Sequence, residues 1–581
     1  FKITDWWDIS YRAGIDSYNT SNYNLVYPEG AVKILWQNGM MSENETRYLY
    51  MSSNLMTSFN KTFGDFDFNL LLGTATEDTK TIVNRRMGYN FQEKDFFSFD
   101  NIVAANKQFS EVHNRRRMVS AYGEFRLSYK SLAYLTVTER NDWTSTLPIE
   151  SRSYSYPSVG GSFIFTELLP QNTTLSFGKI RASWARVGKD AAAYVTNTYL
   201  WPSREFLGGL VGVGNNWERG NPYLKPETTE SIELGLEMRF LNGRIGIDYT
   251  YYTNNSYNQI LSPRLGQSTG YIFCSVNGGD IYNKGMELSI TGQPIKTRDF
   301  TWDATLNLAG NRGTVKNLMT GVEILYVTDV QVGNAKAASF NNGNFMAISG
   351  SKWNRTDDGK VILNEYGMPT SDNQTTYEIG NREPKLAGGF NNSLQYKNWN
   401  LSFLFDFRVG GHVYNGTDYF MTINGMSTRT MEREALTTTG VVNIGTADNP
   451  VYEDKTFSFE ADKSYNMNGT ATNGRSIIKS YWGDYYVRES ANFMVETNWL
   501  RLRTLSLSYN VPKTILSKTK AIKGCLFTVS GNNLLLFTNY EGLDPETSAA
   551  GSGVTGSSSV GIDYCGVPAT ASMSFGINLT F

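Results

Sequence analysis

The sequence predicts an all-β fold, a transmembrane antiparallel β-barrel to which this chain contributes about sixteen strands. Three observations predict it. Apolar and polar residues alternate at period two over segments of about ten residues or more, the length of a tilted membrane strand rather than of a soluble one. The links between those segments alternate between short and long. Aromatic residues make up 14% of the chain (Tyr 35, Phe 32, Trp 12), although mean hydropathy is only -0.37. A barrel gathers Tyr, Trp and Phe into girdles at the two interfaces, while its polar interior lowers the mean.

In chain order the strand candidates are 6–18, 45–61, 66–76, 116–130, 132–143, 156–167, 175–188, 228–241, 244–256, 280–294, 300–313, 385–397, 399–412, 498–510, 524–538 and 568–581. In 116–130, Val119, Ala121, Gly123, Phe125, Leu127 and Tyr129 alternate with Ser120, Glu124, Arg126, Ser128 and Lys130. In 228–241, Ile232, Leu234, Leu236, Met238 and Phe240 alternate with Ser231, Glu233, Gly235, Glu237 and Arg239. A helix would spread both sets around its circumference; a strand puts them on opposite faces. The same holds for Trp399, Leu401, Phe403, Phe405 and Phe407 against Asn400, Ser402, Asp406 and Arg408, with Leu404 as an exception. In 498–510 the phase changes between Leu500 and Leu502 on one side and Leu505, Leu507 and Tyr509 on the other, which predicts a β-bulge near Thr504. The last strand sets Ala571, Met573, Phe575, Ile577, Leu579 and Phe581 against Ser572, Ser574, Gly576, Asn578 and Thr580.

The connections carry the second argument. Short ones fall at 64–65, 130–131, 241–243, 296–299 and 398; long ones span roughly 144–155, 189–227, 314–384 and 413–497. Short turns on one rim and long loops on the other are the pattern of outer-membrane barrels, periplasmic and extracellular sides respectively. The apolar face then meets lipid, and the charged face encloses water.

Composition excludes other classes. Lys+Arg 53 against Asp+Glu 55 leaves a net charge of -2, without the basic face that nucleic acid requires. No apolar run reaches the roughly 18 residues of a transmembrane helix. Cys274, Cys525 and Cys565 are too few and scattered for a disulfide framework or a zinc site, though Cys274 and Cys565, both in predicted loops, could pair. Only two histidines occur, His113 and His412, and there is no phosphate-binding loop or nucleophile elbow, so no enzymatic role is expected. The chain opens on Phe1 without an initiator Met or signal peptide, and is expected to be part of a longer protein. Each unpaired backbone group in hydrocarbon costs several kcal/mol, so the barrel must close. Either the first and last strands here pair, as in a porin, or further strands complete the ring.

Residues 220–227, Gly-Asn-Pro-Tyr-Leu-Lys-Pro-Glu, followed by Glu233-Leu234-Gly235-Leu236, resemble a segment of TonB-dependent outer-membrane transporters. Asn277-Gly278 with Asn283-Lys284-Gly285-Met286-Glu287-Leu288 is similar to another. Further stretches resemble the SusC/RagA branch: Arg140-Asn141-Asp142-Trp143-Thr144-Ser145, Pro384 to Asn392, Trp499-Leu500-Arg501-Leu502-Arg503, and Asn532-Asn533-Leu534 leading to Tyr540 through Glu546. These blocks run in the family's order from about 116 to 581. The resemblance implies a barrel of about 22 strands closed by an N-terminal plug. Plug, TonB box and the first strands would then lie outside this chain, all of whose residues, 1–581, would be barrel. It implies active import of a large nutrient, an oligosaccharide or oligopeptide. The partners implied are a SusD-like surface lipoprotein as lid, the TonB-ExbB-ExbD complex acting through the plug, outer-membrane lipid, and the barrel-assembly machinery. A passive porin and a non-transporting surface adhesin are the alternatives.

Candidate ligand contacts are the loop aromatics Trp201, Trp217, Tyr223, Tyr326, Trp353, Tyr481, Trp482, Tyr485 and Tyr486, whose flat faces can stack on a sugar or pack a peptide side chain. The plainer reading is that they fold the loops. Asp406, Arg408, Arg501 and Arg503 are expected to face the lumen, where they would orient substrate or pair with one another. Phe581 resembles the terminal residue read in barrel assembly, or is simply lipid-facing. Asn354, Asp358 and Glu365 fall at calcium-loop spacing, but two usual acids are replaced and no helices flank them. A hairpin with a tight turn at 358–359 is the simpler expectation, and no cofactor beyond a structural calcium is indicated.

Overall fold

The computed structural model describes all residues except 30–33, 171, 202–203, 206–210, 373, 518–520 and 548–559. All sixteen expected strands are present: β1 (Trp7–Val26), β2 (Met40–Phe63), β3 (Phe66–Tyr89), β4 (Lys107–Tyr129), β5 (Ala133–Thr144), β6 (Ser158–Phe163), β7 (Leu175–Lys189), β8 (Glu227–Phe240), β9 (Ile245–Tyr257), β10 (Asp280–Lys296), β11 (Phe300–Lys316), β12 (Leu386–Tyr396), β13 (Trp399–Val409), β14 (Trp499–Asn510), β15 (Gly524–Thr538) and β16 (Ser572–Thr580). Contacts divide the molecule into two units. The first holds Phe1–Leu168, Ile180–Glu233 and Asn255–Gly279; the second holds Leu169–Lys179, Leu234–Asn254 and Asp280–Phe581.

In the first unit β1 to β7 pair antiparallel, each with the next. One register row runs Trp7, Phe59, Leu70, Phe125, Val137, Val159 and Trp184; the row beside it runs Asp8, Ser58, Leu71, Glu124, Thr138, Ser158 and Ala185. Successive side chains leave opposite faces, so the first row is an apolar surface and the second, apart from Leu71 and Ala185, a polar one. The β2–β3 turn needs only two residues, and Gly64 supplies its left-handed backbone (φ 57°).

The second unit repeats the plan with β10 to β16. Phe300, Tyr396, Trp399, Tyr509, Phe527 and Ile577 form one row near the short-turn end, a run of aromatics of the kind that girdles a membrane interface. The adjacent row, Thr301, Gln395, Asn400, Ser508, Thr528 and Gly576, is polar. On the apolar side Leu507, Phe527, Val529, Phe575 and Ile577 are all exposed. In water such a surface would drive aggregation; against lipid it is at rest.

Two expectations need correcting. The first four strands are longer than alternation predicted: β2 and β3 have 24 residues each and β4 has 23. Only about ten of these carry the apolar pattern, which is what a membrane requires. Beyond them the outward side chains become charged and the pattern fades, while the backbone ladder continues from Asp78↔Met51 to Tyr89↔Met40. The stretches 314–384 and 413–497, expected as loops, also have their own architecture. A four-stranded sheet (Ile324–Val332, Ala335–Phe340, Ala347–Gly350, Tyr377–Asn381) packs Val332, Ala337 and Ile348 against Tyr414, Val487, Phe493 and Ile562. A three-stranded sheet (Ile362–Leu363, Ala435–Asn443, Tyr452–Glu460) covers a second core of Met368, Leu436, Phe459, Ile477 and Ile478. Each large apolar side chain buried there is worth about 1.5–3 kcal/mol. The dry cores of the second unit therefore lie in its insertions, because the wall strands spend their apolar residues outward.

Candidate functional site

The bulge expected near Thr504 falls one residue earlier. Leu502 pairs Phe405 and Thr504 pairs Leu404, so Arg503 has no register partner on β13. An unpaired residue re-aims its side chain. The Arg503 guanidinium reaches both Asp406 (2.5 Å) and Glu546 (2.8 Å). Arg501, directly opposite Asp406 in register, bonds Asp544 at 2.6 Å and lies 3.2 Å from Glu546, with only 3% of its side chain exposed. Arg408 instead donates to the carbonyls of Gly410 (3.1 Å) and Arg382. Three of the four expected lumen residues thus belong to one ion-pair network. Its other acids, Asp544 and Glu546, sit in a connection where alternation gives no signal.

The loop aromatics separate into distinct groups. Trp353, Tyr481, Trp482, Tyr485 and Tyr486 come together: Trp482 lies 4.7 Å from Tyr486, and Trp353 donates its indole N–H to the Tyr485 carbonyl at 2.9 Å. Tyr481, Trp482 and Tyr485 also pack on the second of the two insertion cores, and burial pushes the Tyr481 phenol up to about 12. Trp201 and Trp217 pair at 5.7 Å in the first unit, and Tyr223 stands free at 84% exposure. Tyr326 borders a cavity. It lines a polar cleft of about 240 Å³ with Gln331, Asn334, Lys336, Asp372 and Thr375 on the four-stranded insertion. The Lys336 ammonium lies 5.0 Å from the Tyr326 ring centre, and Thr375 donates to Asp372, holding that carboxyl below its usual range. A cation, a carboxylate, two amides and an aromatic face around one cleft can grip a ligand rich in hydroxyls or amides. Sequence reading found only Tyr326, because these polar residues have no periodicity.

The motif residues of the first unit form a clamp. Asn277 accepts the Lys225 backbone N–H (2.8 Å) and donates to the carbonyls of Lys225 (2.8 Å) and Asn258 (2.9 Å). Asn221 donates to Ser275 (2.9 Å) and accepts from Tyr223 (3.0 Å), while Leu224 is fully buried beside Leu147 and Ala191. Only an amide both donates and accepts at this reach, which is the physical reason for asparagine at each position. Asn277→Ala is expected to cost about 1–3 kcal/mol, read as a lower denaturant midpoint at unchanged slope.

Residues 1–360 match a protein family described as TonB dependent receptor-like, beta-barrel. The chain belongs to the TonB-dependent receptors. These are outer-membrane barrels, so the exposed apolar rows of β1–β7 and of β10–β16 face lipid and the polar rows face the interior. Among curated TonB-dependent receptors, receptor P3 of Formosa agariphila is 24% identical over 566 residues, covering 91% of this chain and 52% of its own length. The receptor SusC of Bacteroides thetaiotaomicron is 25% identical, covering 92% and 50% respectively. The chain spans about half the length of the curated relatives it matches. In fold it is similar to a chain of the RagAB peptide transporter, with a TM-score of 0.77 at 18% identity, covering 100% of this chain and 60% of that one.

The remaining candidates take their places in this receptor. Phe581 directly follows β16 and is 70% exposed. At the calcium-spaced segment the backbone makes a tight turn, with Arg355 bridged to Val361 and Gly359 at φ 87°. Asp358 accepts from Thr356, Asn354 bonds Thr370 at 3.2 Å, and Glu365 is exposed. Among the described residues no three His, Cys, Asp or Glu side chains are grouped to hold a metal. Cys274, Cys525 and Cys565 are all free thiols, so the pairing considered for Cys274 and Cys565 is not formed.

Proposed function

We propose that this chain is the barrel portion of an active importer that carries a large nutrient, an oligosaccharide or oligopeptide, across the outer membrane. The observation that supports this most is the match of residues 1–360 to the TonB-dependent receptor barrel. The relatedness to SusC and the likeness to a RagAB chain favour the branch of the family that takes large ligands. In this reading a SusD-like lipoprotein closes over the loops and traps the ligand. A plug outside this chain would be displaced through TonB, driven by the inner-membrane proton gradient. The chain's residues make and break no covalent bond; they bind, exclude and release.

The cleft of Tyr326, Lys336 and Asp372 is the first candidate contact for that ligand. Deleting the gene is expected to abolish growth on one class of polymer-derived nutrient, with growth on its monomers unchanged. Restoring the gene as Lys336→Ala with Asp372→Asn is expected to lower uptake at limiting nutrient about tenfold or more, the loss of one or two charge-assisted hydrogen bonds. Unchanged growth of the deletion strain on every glycan and peptide tried would favour the adhesin reading. Uptake that survives loss of TonB would favour the porin.

A further inference from the structure

The wall of the first unit carries a cluster of charges directly above its apolar band. On β3 the outward side chains run Phe66, Phe68, Leu70, Leu72, Thr74 and Thr76, a lipid-contacting band of membrane length. The Thr76 row continues through Val119 to Trp143, an exposed indole at the level where an interfacial aromatic belongs. The next row on the same face is Ile15, Met51, Asp78 and Arg117, about 7 Å further along the strands. Above it stand Ser17, Leu49, Lys80 and Arg115, then Asn19, Arg47, Ile82 and His113. This is the long-connection side of the band, hence the outer leaflet.

The charges in these rows are segregated. Asp78 is the one carboxylate, and it accepts from both Arg115 (2.9 Å) and Arg117 (3.1 Å), which leaves at least one positive charge uncompensated between them. Lys80 is exposed beside them, and Arg47 touches Glu45 only at 3.9 Å. Acidic residues return on this face only a row higher, at Glu45 and Glu111, and then at Glu43, which Arg86 already engages. On the opposite, interior face Arg116 is committed to Asp190 (2.7 Å) and lies 3.8 Å from Glu77. Cations are thus concentrated in the two or three rows next to the hydrocarbon, pointing outward, with aliphatic side chains between them. Cations in that layer, with a single carboxylate between Arg115 and Arg117 and none paired with Lys80 among the described residues, are attracted by anionic headgroups.

We propose that Lys80, Arg115 and Arg117, oriented by Asp78, form a binding site on the outer wall for the phosphate of an outer-leaflet lipid headgroup, whose chains lie along the band from Leu70 to Trp143. The test uses the full-length receptor released from membranes in mild detergent and titrated with diphosphorylated lipid A, with bound lipid counted by native mass spectrometry. Phosphatidylethanolamine and inorganic phosphate serve as comparison probes, and heat-modifiable gel migration verifies that each variant is folded. Lipid A is expected to bind in preference to phosphatidylethanolamine, and Lys80→Gln, Arg115→Gln and Arg117→Gln to weaken it about fivefold each. Asp78→Asn is expected to strengthen binding, which a merely structural effect would not do. Equal retention of lipid A by the folded triple variant and the parent would overturn the proposal. So would equal binding of phosphatidylethanolamine, or displacement of lipid A by inorganic phosphate at matching concentration, since then the free anion is the ligand.

Discussion

Replacing Arg501 with methionine is expected to destabilise the protein by about 3–5 kcal/mol, among the largest losses that any single substitution in the second unit should produce. The side chain is 3% exposed, and its 2.6 Å bond to Asp544 faces little water. Two charges in such a place are desolvated together, and the pair gains little over an apolar substitute of the same volume. Removing one partner is different. Asp544 would keep only its backbone donors, Glu546 (2.9 Å) and Ala569 (3.0 Å), and would hold an uncompensated carboxylate at the foot of β14. The double variant Arg501→Met with Asp544→Asn should therefore recover much of the loss. Arg503→Met should cost less than Arg501→Met, because its side chain is 27% exposed and water can solvate what remains. Denaturant titrations in detergent, followed by tryptophan fluorescence, measure all three. If the double variant is no better than Arg501→Met alone, the cost arises from lost packing and not from a stranded charge.

That network also marks where sequence reading stops. Asp406, Arg501 and Arg503 could be placed on one face because period two is a local signal, and the shift from Leu502 to Leu505 exposed the bulge. Asp544 and Glu546 lie more than forty residues further on, in a connection without alternation, and nothing local ties them to β14. The same reasoning explains the strand ends. Alternation reports which side chains meet lipid, so it falls silent at Asp78, where the wall leaves the hydrocarbon but the hydrogen-bond ladder does not. The insertions were opaque for a further reason. Their cores use a few residues from distant segments, as when Val332, Tyr414, Phe493 and Ile562 meet, and no window of sequence contains such a pattern. The aromatics at 481–486 were visible as residue types, but their packing on one another was not. Asn277 is the opposite case: its motif is legible, and the structure gives the reason, a side-chain amide clamping the Lys225 backbone.

Two neighbours on β3 decide which side of the wall meets lipid. Leu70→Arg is expected to cost about 2–4 kcal/mol, the penalty of a cation near the bilayer midplane, whereas Asn69→Arg should cost well under half of that. Leu70 is the third of six outward positions between Phe66 and Thr76, so it sits near the middle of the band. Asn69 projects to the other face, where it bonds Asn60 and stands opposite Arg126. An arginine there would lose an amide pair and gain a like-charged neighbour, but it would remain in water. Depth supplies an internal control, because Thr76→Arg lies at the interface and should cost only about 0–1 kcal/mol. Urea titration of refolding into phosphatidylcholine vesicles gives all three values on one scale. A ranking with Leu70→Arg largest and Thr76→Arg smallest fixes both the face and the depth of β3. Equal costs at Leu70 and Asn69 would mean that the apolar rows do not contact hydrocarbon, and the lipid-headgroup site and the import reading would both lose their footing.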